Sequence, residues 1–338
     1  MLLNPSKYLF LSTLIFGTLI SISANSWFGI WMGLEINLLS FIPLMSNSQN
    51  KLSSEASLKY FLIQALASSI LLFATILLHL NNSIIYMNHI ILTLISLSLL
   101  LKMGAAPLHF WFPGTMEGLN WMNCFILMTW QKIAPLILLS YIFPFSSYMM
   151  PFTISCIIIG SFGGLNQTSL RKLLAYSSIN HLGWMLAALM TGENMWMIYF
   201  LIYSFLSLAI IYMFHTFQIF HINQTFLMLS NNPLLKFILF SLLLSLGGLP
   251  PFMGFLPKWL VIQMMIHNHL LFLTTLMVIT TLMTLFYYLR LSFTSFLLSY
   301  SEIKWNKSSH MNYTTSIPLM FMSFISISGL MICMMIFI

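Results

Sequence analysis

Four ionisable side chains stand inside runs that are otherwise apolar: Glu35, Lys102, Lys132 and Lys258. Left charged and unpaired near the centre of a bilayer, they would together cost on the order of 10 kcal/mol, so such groups are seldom there without a task. Burial disfavours the charged form, and pairing Glu35 with Lys102 would offset part of the cost while leaving both groups easy to switch. A buried lysine can then accept and release a proton at working pH. Several such groups linked by water form a proton path. Plainer readings stay open beside this one. Glu35 could bond a neighbouring helix, and Lys102 or Lys258 could snorkel to the headgroups. Lys132 lies near the middle of its span, where snorkelling is hardest. His109 and His181 are possible relay groups, or buried histidines held by hydrogen bonds. Ser177, Ser178 and Asn180 could line a wet path or tie helices together, and His267 and His269 fall in an outer loop.

The lysines lie close to backbone breaks. Lys102 precedes Gly104 and Pro107, after which the helix is expected to resume through His109 to Pro113. Glycine weakens a helix, and proline removes a backbone donor and clashes with the preceding turn. At membrane depth, freed backbone groups are tolerated only where protein or a water-filled cavity receives them. A second break, Gly247-Gly248-Leu249-Pro250-Pro251, precedes Lys258. Gly104-x-x-Pro107-x5-Pro113 and Gly248-x-x-Pro251-x5-Pro257 share one spacing, 144 residues apart. Broken helices in corresponding positions of two halves mark the binding region of secondary transporters.

These residues sit in a chain of 338 residues that is 59% hydrophobic and only 5% charged, with a mean hydropathy of +0.95. So few charges cannot wet a soluble domain's surface, which leaves a polytopic membrane protein of one domain. Hydropathy gives eleven spans: about Tyr8–Ala24, Trp27–Ser46, Ala56–Leu80, Tyr86–Thr115, Trp121–Tyr141, Met149–Leu165, Lys172–Met190, Met195–Ile219, Leu235–Ile266, Leu270–Thr294 and Ser316–Phe337. The expected fold is all-α. It comprises two inverted five-helix repeats (1–142 and 149–294), each with a broken helix, and an additional C-terminal helix (316–337).

Basic residues test the count. Lys7, Lys51, Lys59, Arg171, Lys172, Lys236, Arg290, Lys304 and Lys307 all fall on or beside the side shared by the N-terminus and the even-numbered loops. The opposite loops hold no lysine or arginine. By the positive-inside rule the N-terminus is inside and the C-terminus outside. Glu55, Glu117, Glu193 and Glu302 lie in or next to loops and read as solvated or interfacial.

Other chemistry finds little support. The formal charge of +7 is spread without a patch, so no nucleic-acid partner is expected, only membrane lipid. Cys124, Cys156 and Cys333 lack CxxC spacing and histidine partners, so neither metal nor disulfide is expected. Nothing matches a dinucleotide fold, a P-loop, a haem-ligand pair or an iron–sulfur cysteine set. No cofactor is expected on this chain, and no cleavable presequence, since MLLNPSKYLFLS runs straight into a span. The absence of aspartate and the 27 methionines read as codon usage.

Six runs carry a resemblance: WMGLEINLLSFIPL (Trp31–Leu44), EASLKYFLIQALASS (Glu55–Ser69), KMGAAPLHFWFPGTMEGL (Lys102–Leu119), WQKIAPL (Trp130–Leu136), AYSSINHLGWM (Ala175–Met185) and GGLPPFMGFLPKW (Gly247–Trp259). Together they closely resemble the mitochondrial NADH dehydrogenase subunit 2 family, with an insect-like cast. That family belongs to the antiporter-like subunits in the membrane arm of respiratory complex I. The resemblance covers the whole chain. It implies proton translocation, with Glu35 and Lys102 as a coupled pair, Lys132 as central relay and Lys258 as terminal group. It implies an inner mitochondrial membrane location, with the N-terminus in the matrix and the C-terminus in the intermembrane space. Neighbouring antiporter-like, small membrane and accessory subunits are the implied partners, and FMN, iron–sulfur clusters and ubiquinone are expected in other subunits. Bacterial relatives are expected to have fourteen spans, three more at the start. A self-standing cation/proton antiporter shares the architecture and stands as the alternative, and a structural scaffold with vestigial charges is a weaker third.

Overall fold

A membrane interior offers the backbone no water, so every N–H and C=O must be met within the protein. The chain answers with helices. The computed structural model describes residues 5–47, 50–80, 85–142, 146–192, 195–228, 233–297 and 313–337. Glu193, Glu302, Lys304, Lys307 and the side chain of Cys333 lie outside the described residues.

Two compact units divide the chain, residues 1–152 and 153–338. The first holds α1 (Pro5–Ser23), α2 (Trp27–Met45), α3 (Lys51–Leu80), α4 (Ile85–Met103), α5 (Trp111–Gly118), α6 (Trp121–Met128) and α7 (Trp130–Ile142). α8 (Ser146–Gly163) crosses the boundary. The second continues with α9 (Leu170–Thr191), α10 (Met195–Phe217), α11 (Ile222–Met228), α12 (Pro233–Gly247), α13 (Phe255–His267), α14 (Leu271–Leu297) and α15 (Tyr313–Phe337). Among the described residues seven helical segments are long and apolar enough to cross a membrane. Four shorter apolar helices accompany them, eleven in all. The eleven expected spans are therefore each occupied by helix. The chain is a multi-pass membrane protein. α11, a short helix between spans eight and nine, was not expected.

The hydroxyls on these helices are mostly spent locally. Thr18, Ser21, Ser40, Thr75 and Ser98 each donate to the carbonyl three residues back, which lets them sit on apolar helices without seeking water. Burial differs greatly between helices: 89% of the α9 span is buried against 22% of the α1 span. α9 is thus the buried helix of the second unit, although it carries Ser177, Ser178, Asn180 and His181.

Both breaks end their first half-helix in the same way. Gly104 has φ +72° and Gly248 has φ +81°, the left-handed region that a side chain resists. Gly104 N–H donates to the Leu101 carbonyl (3.1 Å) and Ala105 N–H to that of Leu100 (3.0 Å). Gly248 N–H donates to Ser245 (3.0 Å) and Leu249 N–H to Leu244 (3.5 Å). This paired closure satisfies the last carbonyls of α4 and α12. The chain then turns before a new helix begins at Trp111 or Phe255, so the first restart comes two residues later than the expected His109. Pro107, like Pro250 and Pro251, falls in the turn, where no helical N–H is required. Pro113 and Pro257 each stand third in the resumed helix, within the turn whose N–H groups have no intrahelical partner.

Span five is also interrupted. The sequence reads it as one uninterrupted helix, but α6 stops at Met128 and α7 starts at Trp130. Thr129 turns both its N–H (3.0 Å) and its hydroxyl (2.7 Å) to the Phe125 carbonyl. Six residues on, Pro135 inside α7 has no N–H to give the Gln131 carbonyl.

α1 and α2 pack glycine to glycine. A Cβ on Gly33 would lie 2.6 Å from Ser21 N and 2.9 Å from the Gly17 carbonyl oxygen, so these helices touch backbone to backbone. Gly33→Val should destabilise the protein by about 1–3 kcal/mol, as overpacking does. Gly114→Ala, whose Cβ meets nothing within 4 Å, should be neutral. Thermal unfolding of the detergent-extracted protein measures both.

Candidate functional site

In the first unit, Lys102 occupies the last turn of α4, two residues before Gly104, and is only 7% exposed. Its carbonyl accepts from Gln64 Nε2 of α3 at 3.1 Å, which ties the end of α4 to α3. Glu35 of α2 is half-buried, and its charge acts on Lys102. A cavity of about 10 Å³ opens beside the lysine, with Asn37, Tyr60, Gln64, Gln131 and Pro135 among its lining residues. Gln131 Nε2 donates to Asn37 Oδ1 at 2.8 Å, closing α7 onto α2 across that cavity.

Lys132 is 1% exposed and third in α7, directly after the interruption at Thr129. Its Nζ lies 5.3 Å from the centroid of the Phe112 ring on α5, a cation–π distance. The half-helix that resumes after the first break therefore supplies an aromatic face to the central lysine. His109 sits in the turn itself, with Nδ1 3.2 Å from the Pro107 carbonyl oxygen and its ring 4.5 Å from that of Phe110.

In the second unit, Lys258 is fourth in α13 and 5% exposed. It does not reach away from the break. It folds back onto it, donating from Nζ to the Gly247 carbonyl at 2.8 Å. The C-terminal end of a helix carries partial negative charge and carbonyls without helical partners, so it suits an ammonium group. Gly248 makes room: a Cβ there would lie 2.9 Å from Lys258 Nζ and 3.0 Å from its Cδ. The other side of Lys258 faces Trp184 of α9, 6.0 Å from ring centroid to Nζ.

Trp184 in turn stacks on Tyr199 of α10, 6.4 Å between centroids at 8°. His181 Nδ1 is 2.9 Å from the Tyr199 hydroxyl oxygen, and its ring is 4.9 Å from that of Tyr203. Ser177 and Ser178 return their hydroxyls to the Leu174 and Ala175 carbonyls of their own helix (both 2.8 Å), with the buried Tyr288 of α14 and Tyr203 nearby. The SSINH run thus faces a set of buried tyrosines. Elsewhere, Glu55, His267 and His269 are exposed as expected, Glu117 is half-buried on α5, and Cys124 and Cys156 are buried.

The sequence reading missed the uncharged members of both clusters: Asn37, Gln64 and Gln131 in the first unit, Tyr199, Tyr203 and Tyr288 in the second. A signal for the amides exists. Each is a polar side chain within an apolar span, and two of them lie within two residues of Glu35 or Lys132. The tyrosines carry no such mark among 13 in the chain.

Residues 24–284 match the family described as NADH:quinone oxidoreductase/Mrp antiporter, transmembrane. The chain belongs to this family. Within it, the NADH-ubiquinone oxidoreductase chain 2 of Anopheles gambiae is 58% identical over 337 residues, 98% of each chain. That of Locusta migratoria is 46% identical over 328 residues, 97% of this chain and 96% of its own. Among solved structures, a chain of respiratory complex I from Thermus thermophilus shares the fold with a TM-score of 0.85 at 23% identity, over 96% of this chain and 78% of that one. A chain of the Mrp complex from Dietzia shares it at 0.76 and 16% identity, over 88% and 61%.

At the break that Lys258 covers, position 248 needs glycine on two counts. Gly248→Ala should cost about 1–2 kcal/mol for the left-handed backbone alone, and its Cβ should displace Lys258 from the Gly247 carbonyl. Gly247→Ala, whose Cβ would make ordinary van der Waals contacts with Tyr288 (3.4 Å) and Leu285 (3.9 Å), should be harmless. Proton pumping per NADH oxidised, measured in membrane vesicles of each variant, should fall for the first and hold for the second.

Proposed function

We infer that protons cross this chain by way of its intramembrane ionisable groups: Glu35, Lys102 and Lys132 in the first unit, His181 and Lys258 in the second. The chain is an antiporter-like, proton-translocating subunit of NADH:ubiquinone oxidoreductase, complex I, as its family and its 46–58% identical insect relatives support. One observation carries the relay reading. All three intramembrane lysines stand at helix interruptions, Lys102 just before the first, Lys132 just after the one at Thr129, and Lys258 folded onto the second. Interruptions are where backbone polarity, and water with it, is tolerated inside a membrane. A lysine placed there can exchange its proton with a neighbour instead of being a stranded charge.

On this reading the two breaks mark inverted repeats, 1–142 and 149–294, with 316–337 as an additional helix. The matching closures at Gly104 and Gly248 support that division. His109, bonded within its turn, is a secondary relay group. The basic loops argue for an N-terminus in the matrix of the inner mitochondrial membrane and a C-terminus in the intermembrane space. FMN, iron–sulfur clusters and ubiquinone belong to other subunits, and this chain moves protons without carrying electrons. Its partners are the neighbouring antiporter-like, small membrane and accessory subunits of the same arm.

Two experiments test this. In a native gel of mildly solubilised membranes, the chain should migrate with a very large band that oxidises NADH. Migration as a small separate species with sodium-driven proton flux would instead make it a free-standing antiporter. Within the assembly, Lys132→Ala should slow proton delivery through this chain on the order of 10²-fold, as loss of a positioned proton-transfer group does, with the assembly retained. The proton-to-electron ratio of the assembled variant reads it, and an unchanged ratio would remove Lys132 from the relay.

A further inference from the structure

We propose that Gln131 and Asn37 are positioning residues that hold one water molecule against Lys102, so that this lysine's proton leaves toward α7 through that water. The inference rests on the relay reading above and adds to it the neutral groups that would make the relay directional.

The cavity beside Lys102 measures about 10 Å³. A buried water needs at least ~10–15 Å³ of such volume and two to four polar partners. The volume therefore sits at the limit for a single molecule, and the lining exceeds the requirement for partners: Lys102, Asn37, Gln131, Gln64 and Tyr60. Asn37, Gln64 and Lys102 are 3%, 4% and 7% exposed, so they are fixed members of the interior. Pro135 forms part of the wall and leaves the Gln131 carbonyl without its helical donor, which adds local polarity on the α7 side.

The two amides suit a holding role. Gln131 Nε2 is bonded to Asn37 Oδ1 at 2.8 Å, so each side chain has one group committed and others available. An amide does not take up a proton at working pH, so neither is a stop on the path. They orient the water. An N–H bond breaks at the Lys102 ammonium as an O–H bond forms on the water, and the water gives one of its own protons to the neutral amine of Lys132, where a new N–H bond forms. No electron changes hands. Because Gln131 is chain neighbour to Lys132, the amide that orients the water is built on the same turn as the next lysine. The bond to Asn37 anchors that turn to α2, the helix carrying Glu35.

The test combines imaging with pumping, both in the intact complex. A cryo-EM map that resolves waters should show one within hydrogen-bond distance of both Lys102 Nζ and the Gln131 side chain. Gln131→Leu, close in volume but unable to bond either Asn37 or water, should lower the proton-to-electron ratio by about the same share as Lys132→Ala, with NADH oxidation by the assembled enzyme retained. Absence of that water overturns the inference. So does a wild-type ratio in Gln131→Leu when Lys132→Ala has lost pumping, a result that leaves the relay reading standing. A wild-type ratio in Lys132→Ala overturns the relay reading and this inference with it.

Discussion

The C-terminal carbonyls of a helix that stops inside a membrane have no water to bond, and that constraint orders the structure. α4 and α12 both stop there. Each closes on a glycine in the left-handed region, which returns two N–H groups to the last turn. Closure is partial, because a helix end leaves four carbonyls and the motif meets only two. The remaining polarity is what makes a nearby lysine tolerable. In α12 it is met directly, by Lys258 on Gly247. In α4 a glutamine from α3 reaches the carbonyl of Lys102 itself. The breaks and the lysines are therefore one feature: the interruption would be costly without a donor, and the ammonium would be costly without the interruption.

The units solve the same problem with different chemistry. Lys102 is answered by a carboxylate, Glu35. At the position 144 residues on from Glu35 the chain has Ile179, with His181 the nearest ionisable group. That histidine is bonded to the Tyr199 hydroxyl, beside Trp184, whose ring is also the neighbour of Lys258. The acid of the first unit gives way in the second to an imidazole, phenols and a helix end. The position 144 residues on from Lys132 is Leu276. A central lysine thus belongs to one unit, and its setting is distinctive: an interrupted span below it and the Phe112 ring of the resumed half-helix against it.

Much of this was legible in the sequence, and for physical reasons. Hydrocarbon thickness sets span length, so hydropathy located the eleven segments. Glycine and proline mark broken helices because of what their backbones permit and forbid, so Gly104 and Gly248 could be placed without a structure. A buried charge is conspicuous because it is expensive, which is why Glu35 and the three lysines stood out. The interruption at Thr129 was hidden. Threonine is common within membrane helices, where its hydroxyl normally returns to its own helix, as those of Thr280 and Thr294 do in the uninterrupted α14, so nothing in the residue itself marks the break. The direction taken by Lys258 was hidden too, since sequence spacing does not say whether a lysine extends away from a break or folds back over it.

The two kinds of lysine partner differ in what survives a change of protonation. The attraction between Lys102 and Glu35 is Coulombic and needs both charges. If either group becomes neutral the attraction goes, so the proton state of one is felt at once by the other. The bond from Lys258 to the Gly247 carbonyl is a hydrogen bond, and a neutral amine still has N–H to donate. It weakens on deprotonation, because charge-assisted bonds are roughly twice as strong, but it is not abolished. Glu35 acts on Lys102 through charge alone, whereas the hydrogen bond of Lys258 to the Gly247 carbonyl is available in both of its protonation states. The difference follows from what surrounds each lysine: a carboxylate acting at a distance on Lys102, a backbone carbonyl in direct contact with Lys258.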